Sequence, residues 1–452
     1  MNLTYKVNDK PKFPQLLIFA LQQLLAILAA TIAVPAIIGH GMSQSAALFG
    51  AGVGTIVYLL FTKFKSPVFL GSSFAFLSSM AFAFTGAIEA GATETLGFTG
   101  LLIGAVFAGL VYVAISFAVK FGGVKWISRL MPPVVIGPTV AIIGLSLAGN
   151  AIANSFGFGE AQGTYQMNNI GIWANLICAL VTLLTVIFFS VKGKKMMKLI
   201  PFILGIVAGY LVALVFKAIG KWCDVAELRQ ILDFSAFQSM KWIPDFTFIK
   251  AFEGFKEITA SYVAAIAVAY IPVAFVVFAE HIADHKNLST IIDQDLLEEP
   301  GLNRTLLGDG VGSMAGAFFG GCPNTTYGES IGCVAITGNA SVVTILTTAI
   351  IAILASFFAP FVTFLSTIPT CVMGGVCITL YGFIAVSGLK MLQPVDLNDN
   401  RNLFTASVIL IAGIGGMALQ IGKVKITAIA CALILGIIVN LLFNRTAKKE
   451  DK

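Results

Sequence analysis

Residues Gly320 to Gly332 read GGCPNTTYGESIG: a chain-breaking proline, a run of small polar residues and a carboxylate, Glu329, set between apolar segments. The surrounding chain is 58% hydrophobic and only 11% charged, a balance outside the range of soluble domains. In hydrocarbon every unpaired backbone group is costly, so a break in a membrane helix is tolerated only where it faces protein or a water-filled cavity. The stretch therefore reads as one wall of a cavity inside a helical membrane protein.

Working outward, apolar runs of roughly 17–25 residues, the length of a membrane-crossing helix, recur along the whole chain. Fourteen candidate segments begin near Gln15, Ala46, Pro67, Gly100, Met131, Ile170, Leu199, Ile258, Thr305, Thr326, Val342, Ile368, Leu403 and Ile426. The tenth, Thr326–Gly338, is too short to span alone. The expected fold class is an all-α polytopic membrane protein. The first run, Leu16–Ile38, is longer than a signal-peptide core and is read as retained. The 45 glycines and 15 prolines suit membrane helices. The seven cysteines lie mostly in apolar runs without zinc-ligand spacing, so no disulfide framework is expected.

Charge sets the expected orientation. With the N-terminus inside, most of the 28 Lys and Arg residues collect on the inner side, among them Lys10, Lys63, Lys120, Lys125, Arg129, Lys195, Arg304, Lys390 and Lys452. Only Lys423 and Lys425 fall in a short outer loop. The positive-inside rule then places both termini in the cytoplasm of a cell-membrane protein. The net charge of +6 is a topology signal and requires no nucleic acid.

An internal repeat supports the count. MPPVVIGPTVAIIGLSLAGN (131–150) and IPTCVMGGVCITLYGFIAVS (368–387) align without gaps, pairing Pro132 with Pro369 and Gly137 with Gly374. They are segments five and twelve and run in opposite directions, as expected of a seven-plus-seven inverted repeat. Such repeats are typical of secondary transporters, whose sites form near the midplane from discontinuous helices. Segment three, PVFLGSSFAFLSSM (67–80), becomes the counterpart of the opening stretch. Half-helices starting at these breaks would point free N–H groups into the cavity.

Acidic residues inside a membrane default to a functional reading. Glu280 and Asp284, in FVVFAEHIADHKN, are one turn apart on one helix face. Glu329 follows the break, and Asp309 sits in LLGDGVG. A metal reading of Glu280, His281, Asp284 and His285 fails, because adjacent residues point about 100° apart and neither face offers three good ligands. No metal or other cofactor is expected. Carboxylates accept hydrogen bonds, half-helix N–H groups donate them, and Phe74, Phe76 and Tyr327 offer flat faces. A planar neutral ring with N–H and C=O groups on its edge would use all three, whereas a cation or an anion would not. A nucleobase answers that description, although residue types alone do not single it out.

AEHIADH, GSSFAF, CPNTTYGESIGCVAITG and IPTCVMGGVCITLYG together resemble the nucleobase–ascorbate transporter family, most closely its bacterial uracil permease branch, over about residues 14 to 443. The resemblance implies fourteen segments in two inverted repeats, with short antiparallel strands in segments three and ten. It implies a core domain (14–130 and 258–366) and a gate domain (131–257 and 367–443). It implies that Glu280 and Glu329 bind the edge of a nucleobase and that backbone N–H groups at Phe74 and Gly328 contact its carbonyls. Tyr327 lies close by and Tyr381 comes from the gate. It further implies proton symport, with Glu280, Asp284, His281 and Asp309 as proton-handling candidates, and a homodimer in the lipid membrane. Glu329 and the AEH triplet favour uracil over xanthine or urate within that family. Departures from its uracil-type pattern are Asp284 and Gln23, each at a position of histidine, Ser330 for asparagine, and Gly338 for a basic residue. The readings weighed against uracil symport are a purine-base permease, an anion carrier of the same fold, a passive channel and a membrane metalloenzyme.

Overall fold

The computed structural model describes residues 3–123, 130–158, 161–194, 196–421 and 424–450. Lys125, Arg129, Lys195, Lys423 and Lys452, used above for orientation, lie outside them. Each of the fourteen apolar stretches carries helix. In chain order these are α1 (Phe13–Ile38), α2 (Gln44–Phe61), α3 (Leu77–Glu89), α4 (Glu94–Gly122), α5 (Pro133–Ser146), α6 (Ile170–Lys192) and α7 (Pro201–Trp222). The second series is α8 (Ala260–Ile292), α9 (Leu302–Gly320), α10 (Gly328–Thr337), α11 (Val342–Ser356), α12 (Thr370–Met391), α13 (Asn400–Ile414) and α14 (Ala428–Glu450). Among the described residues, eight helices are long and apolar enough to cross a membrane. The number is nine if α11 and the following Ala359–Ser366, bent by 81°, form one span. The chain is a multi-pass membrane protein.

Two seams of glycine hold the bundle together. A membrane gives little hydrophobic drive to helix pairing, so small residues that let backbones touch take its place. In α9, Gly308, Gly312, Gly316 and Gly320 recur every fourth residue and so line one face. A Cβ at Gly50 of α2 would come within 2.3 Å of the Gly316 carbonyl, and one at Gly54 within 2.7 Å of the Gly312 carbonyl. The second seam joins the helices of the sequence repeat. A Cβ on Gly137 of α5 would lie 2.8 Å from the Gly388 carbonyl of α12, and one on Gly388 would lie 2.5 Å from that of Gly137.

Segments three and ten are both broken. Each contributes a three-residue strand, β1 (Leu70–Ser72) and β2 (Asn324–Thr326), and the two pair antiparallel. The register sets Leu70 against Thr326, Gly71 against Thr325 and Ser72 against Asn324. Pro323, which has no N–H, contributes its carbonyl by accepting from Ser73 N at 2.8 Å. A 3₁₀ turn, Phe74–Phe76, leads into α3, and Tyr327 leads directly into α10. The strands satisfy one another's backbone groups, which is what allows irregular chain at this depth.

Candidate functional site

The paired strands bring two helix starts side by side. Phe74 opens the 3₁₀ turn and Gly328 opens α10, positions whose N–H groups have no partner inside the helix. Gly328 is exposed, and a Cβ added to it or to Gly332, one turn on, would meet nothing within 4 Å. One face of α10 therefore borders open space. Glu329 stands beside that face, half-buried. From α8 comes Glu280, also half-buried and within electrostatic reach of Glu329 and Asp309. Phe74 meets Tyr381 of α12 edge-on, with ring centroids 6.3 Å apart at 74°. The structure thus brings Glu280, Glu329, Phe74, Gly328 and Tyr381 to one place.

Two of the aromatic residues named from the sequence are buried. Phe76 is buried and stacks on Tyr270, centroids 5.5 Å apart, so of the flat faces named from the sequence only Phe74 meets Tyr381. Tyr327 is buried too, and its hydroxyl donates to the Ser72 carbonyl at 2.8 Å. Its ring fills the space beside Gly71, where a Cβ would approach it to 2.4 Å. Tyr327 clamps the two strands together, a role its position in sequence does not disclose.

The remaining acidic residues are divided by their partners. Asp284 accepts a 2.7 Å hydrogen bond from the Thr326 hydroxyl, so α8 is tied to β2. Asp309 is 1% exposed, deeper than its place near the start of segment nine suggested. Its Oδ2 lies 2.7 Å from His281 Nδ1, and His281 Nε2 lies 3.0 Å from Thr305 Oγ1. His285 Nδ1 donates to the His281 carbonyl at 2.8 Å, and its Nε2 lies 2.7 Å from the Tyr58 hydroxyl, which also bonds Ser66 Oγ at 2.7 Å. All four ring nitrogens are taken.

Gln23 and Ser330, two separate departures in the sequence, meet in the fold. The Gln23 amide donates to Ser330 Oγ at 2.5 Å and to the Ser330 carbonyl at 3.3 Å, while Phe69 N donates to the same hydroxyl at 3.1 Å. Ser330 thereby joins α1, the entry to β1 and α10 immediately behind Glu329. Sequence reasoning missed this knot and the His281–Asp309 pair, since residues 307 and 28 positions apart carry no local signal.

The permease family pattern matches residues 14–422. The uracil permease of Bacillus caldolyticus is 39% identical over 442 residues, 96% of this chain and 94% of that protein. The uracil permease of Escherichia coli K12 is 35% identical over 97% of this chain and 93% of that protein. Among solved structures, the transmembrane domain of a cyanobacterium bicarbonate transporter, BicA, superposes with a TM-score of 0.61 at 16% identity, covering 96% of this chain and 100% of that one. The murine Slc26a9 anion transporter in its inward-facing state gives 0.67 at 14% identity, covering 97% and 69%. At such identities these two structures share the fold alone.

Proposed function

The chain belongs to the permease family that it matches from residue 14 to residue 422, and from that membership we propose that it imports a nucleobase, uracil, by proton symport. The names printed for its relatives support the solute. The observation that carries the reading is the meeting of two carboxylates, Glu280 and Glu329, with the helix starts at Phe74 and Gly328. Uracil presents N–H and C=O groups on one planar edge. The carboxylates accept from its N–H groups, the backbone N–H groups donate to its carbonyls, and Phe74 and Tyr381 cover its faces. No positive side chain is needed.

Fourteen spans in a seven-plus-seven inverted repeat, with both termini cytoplasmic, belong to the same proposal. The β1–β2 pair supports it, because the two broken segments lie seven apart in the series. The strands, α1 to α4 and α8 to α11 form the core domain. Helices α5 to α7 and α12 to α14 form the gate and carry the homodimer contact. Glu280 takes the transported proton, with Asp284 next. Proton and uracil together favour closure of core against gate, since each must bias the same two-state equilibrium for transport to cycle.

The deciding experiment is uptake of radiolabelled uracil into proteoliposomes. A gradient acid outside drives accumulation, a protonophore abolishes it, and unlabelled uracil competes better than xanthine. Competition led by xanthine points to a purine-base permease, and flux indifferent to the protonophore overturns symport.

A further inference from the structure

Behind the site, α4, α8, α9 and β2 enclose a small internal cavity of about 10 Å³, room for one water, lined by Phe76, Tyr112, Asp309, Ser313 and Asn324 among others. Its walls are fixed. A Cβ on Gly109 of α4 would lie 2.8 Å from the Gly310 carbonyl of α9, and one on Gly310 would lie 3.0 Å from that of Gly109. Asn324 is held between Gly54 and Gly316, with its amide nitrogen on the Gly50 carbonyl at 3.2 Å. Two of the lining residues carry a polar atom, Asp309 Oδ1 and the Tyr112 hydroxyl, that is buried without a hydrogen-bond partner among the described residues. The hydroxyl of Thr325 lies beside that of Tyr112, close enough for the two to interact, though not at full hydrogen-bond geometry. A buried oxygen left without a full hydrogen bond, Asp309 Oδ1 above all, carries a substantial desolvation cost.

We propose that this cavity is the binding site of a single resident water, which accepts from the Tyr112 hydroxyl and donates to Asp309 Oδ1 and to an oxygen of Ser313 or Asn324. The proton count on the other side of Asp309 selects water over a metal cation. Thr305 Oγ1 donates its one proton to the Leu302 carbonyl at 3.1 Å. It must therefore accept from His281, so Nε2 carries a proton. The remaining contact, His281 Nδ1 to Asp309 Oδ2, is a hydrogen bond only if it holds one further proton. That pair is then an acid facing a neutral imidazole, or a carboxylate facing an imidazolium. In either form it is neutral overall, so the pair that walls the cavity supplies no net charge with which to strip an ion of its hydration shell. A water offers two donors and two acceptors and makes about three bonds at such sites. It links the His281–Asp309 pair on α8 and α9 to the strand that carries the site. That last consequence rests on the reading of function above, but the water itself does not.

The test is a structure of the full-length protein at a resolution that shows ordered water, determined once in sodium buffer and once in potassium buffer without sodium. A single peak at hydrogen-bond distance from both Asp309 Oδ1 and Tyr112 Oη, present in both buffers, is the expected result. Tyr112→Phe is expected to lose the peak while His281 stays bonded to Asp309. A peak confined to sodium, surrounded by five or six oxygens at shorter distances, would make the site a cation site. An empty cavity, or a direct bond from Tyr112 to Asp309, would overturn the proposal outright. Retention of the peak in Tyr112→Phe would remove Tyr112 from it. Uracil uptake enters none of these readings, so failure here leaves the transport assignment to its own experiment.

Discussion

Segments three and ten use one device for two purposes. Each breaks into a strand, pairs with the other, and restarts as a helix whose first N–H groups are free. Segment three has no charge at its restart and supplies Phe74. Segment ten supplies Glu329 on a helix whose outward face is kept bare by Gly328 and Gly332. The strand pair is a scaffold, and the residues immediately after each strand decide what the scaffold offers to a solute. The glycines differ in the same way. Gly71 in segment three is small because the Tyr327 ring occupies its Cβ position, whereas Gly332 is small where nothing presses on it.

The comparison breaks most sharply at the carboxylate. Glu329→Ala is expected to weaken uracil binding about tenfold to a hundredfold, the cost of losing a charged hydrogen-bond acceptor. Isothermal titration or a proximity binding assay reads this directly. Unchanged affinity would mean that segment ten is scaffold only. Glu280→Gln keeps the shape of the pocket and is expected to abolish concentrative uptake; pH-dependent accumulation like that of the wild type would move the proton to another residue.

The two glycines sharpen it next. Gly71→Ala forces the Tyr327 ring aside and is expected to cost about 1–3 kcal/mol, as overpacked cores do. Gly332→Ala is expected to leave thermal stability unchanged or raised by up to about 1 kcal/mol, since alanine favours a helix. Equal melting temperatures for the two variants would contradict the asymmetry. Ser330→Ala leaves the Phe69 N–H and the Gln23 amide without their shared acceptor and is expected to cost about 1 kcal/mol of stability. Gln23→Leu should add little on top of it in a double-mutant cycle, and full additivity would show that the two do not act as a unit. The smallest effect on binding belongs to Phe74→Ala. Loss of one edge-on aromatic neighbour is expected to lower uracil affinity about two- to fivefold.

Much of the fold was legible because a bilayer permits few backbone solutions. Apolar length located the helices, and Pro323 with its flanking glycines marked one place where a helix could not continue. The glycines of α9 stand four residues apart in the sequence, but that α2 packs against them is shown by the structure alone. Glu280 and Glu329 were legible for the same reason, since ionisable groups are rarely placed in lipid without a task.

What tertiary structure alone decided is partnership. Asp284 and Glu280 share a helix face, and the structure adds that Thr326 holds Asp284 while Glu280 lies by Glu329. His281, expected from the resemblance to be a proton-handling candidate, bonds Asp309 and Thr305. Tyr327, expected close to the ligand, also bonds the Ser72 carbonyl and so clamps the two strands. Residue type and helical period fix what a side chain can do and which way it leaves its own helix. The atom it meets there belongs to a segment far away in the chain, brought into register by glycine contacts and by two three-residue strands, and that meeting has no trace in local sequence.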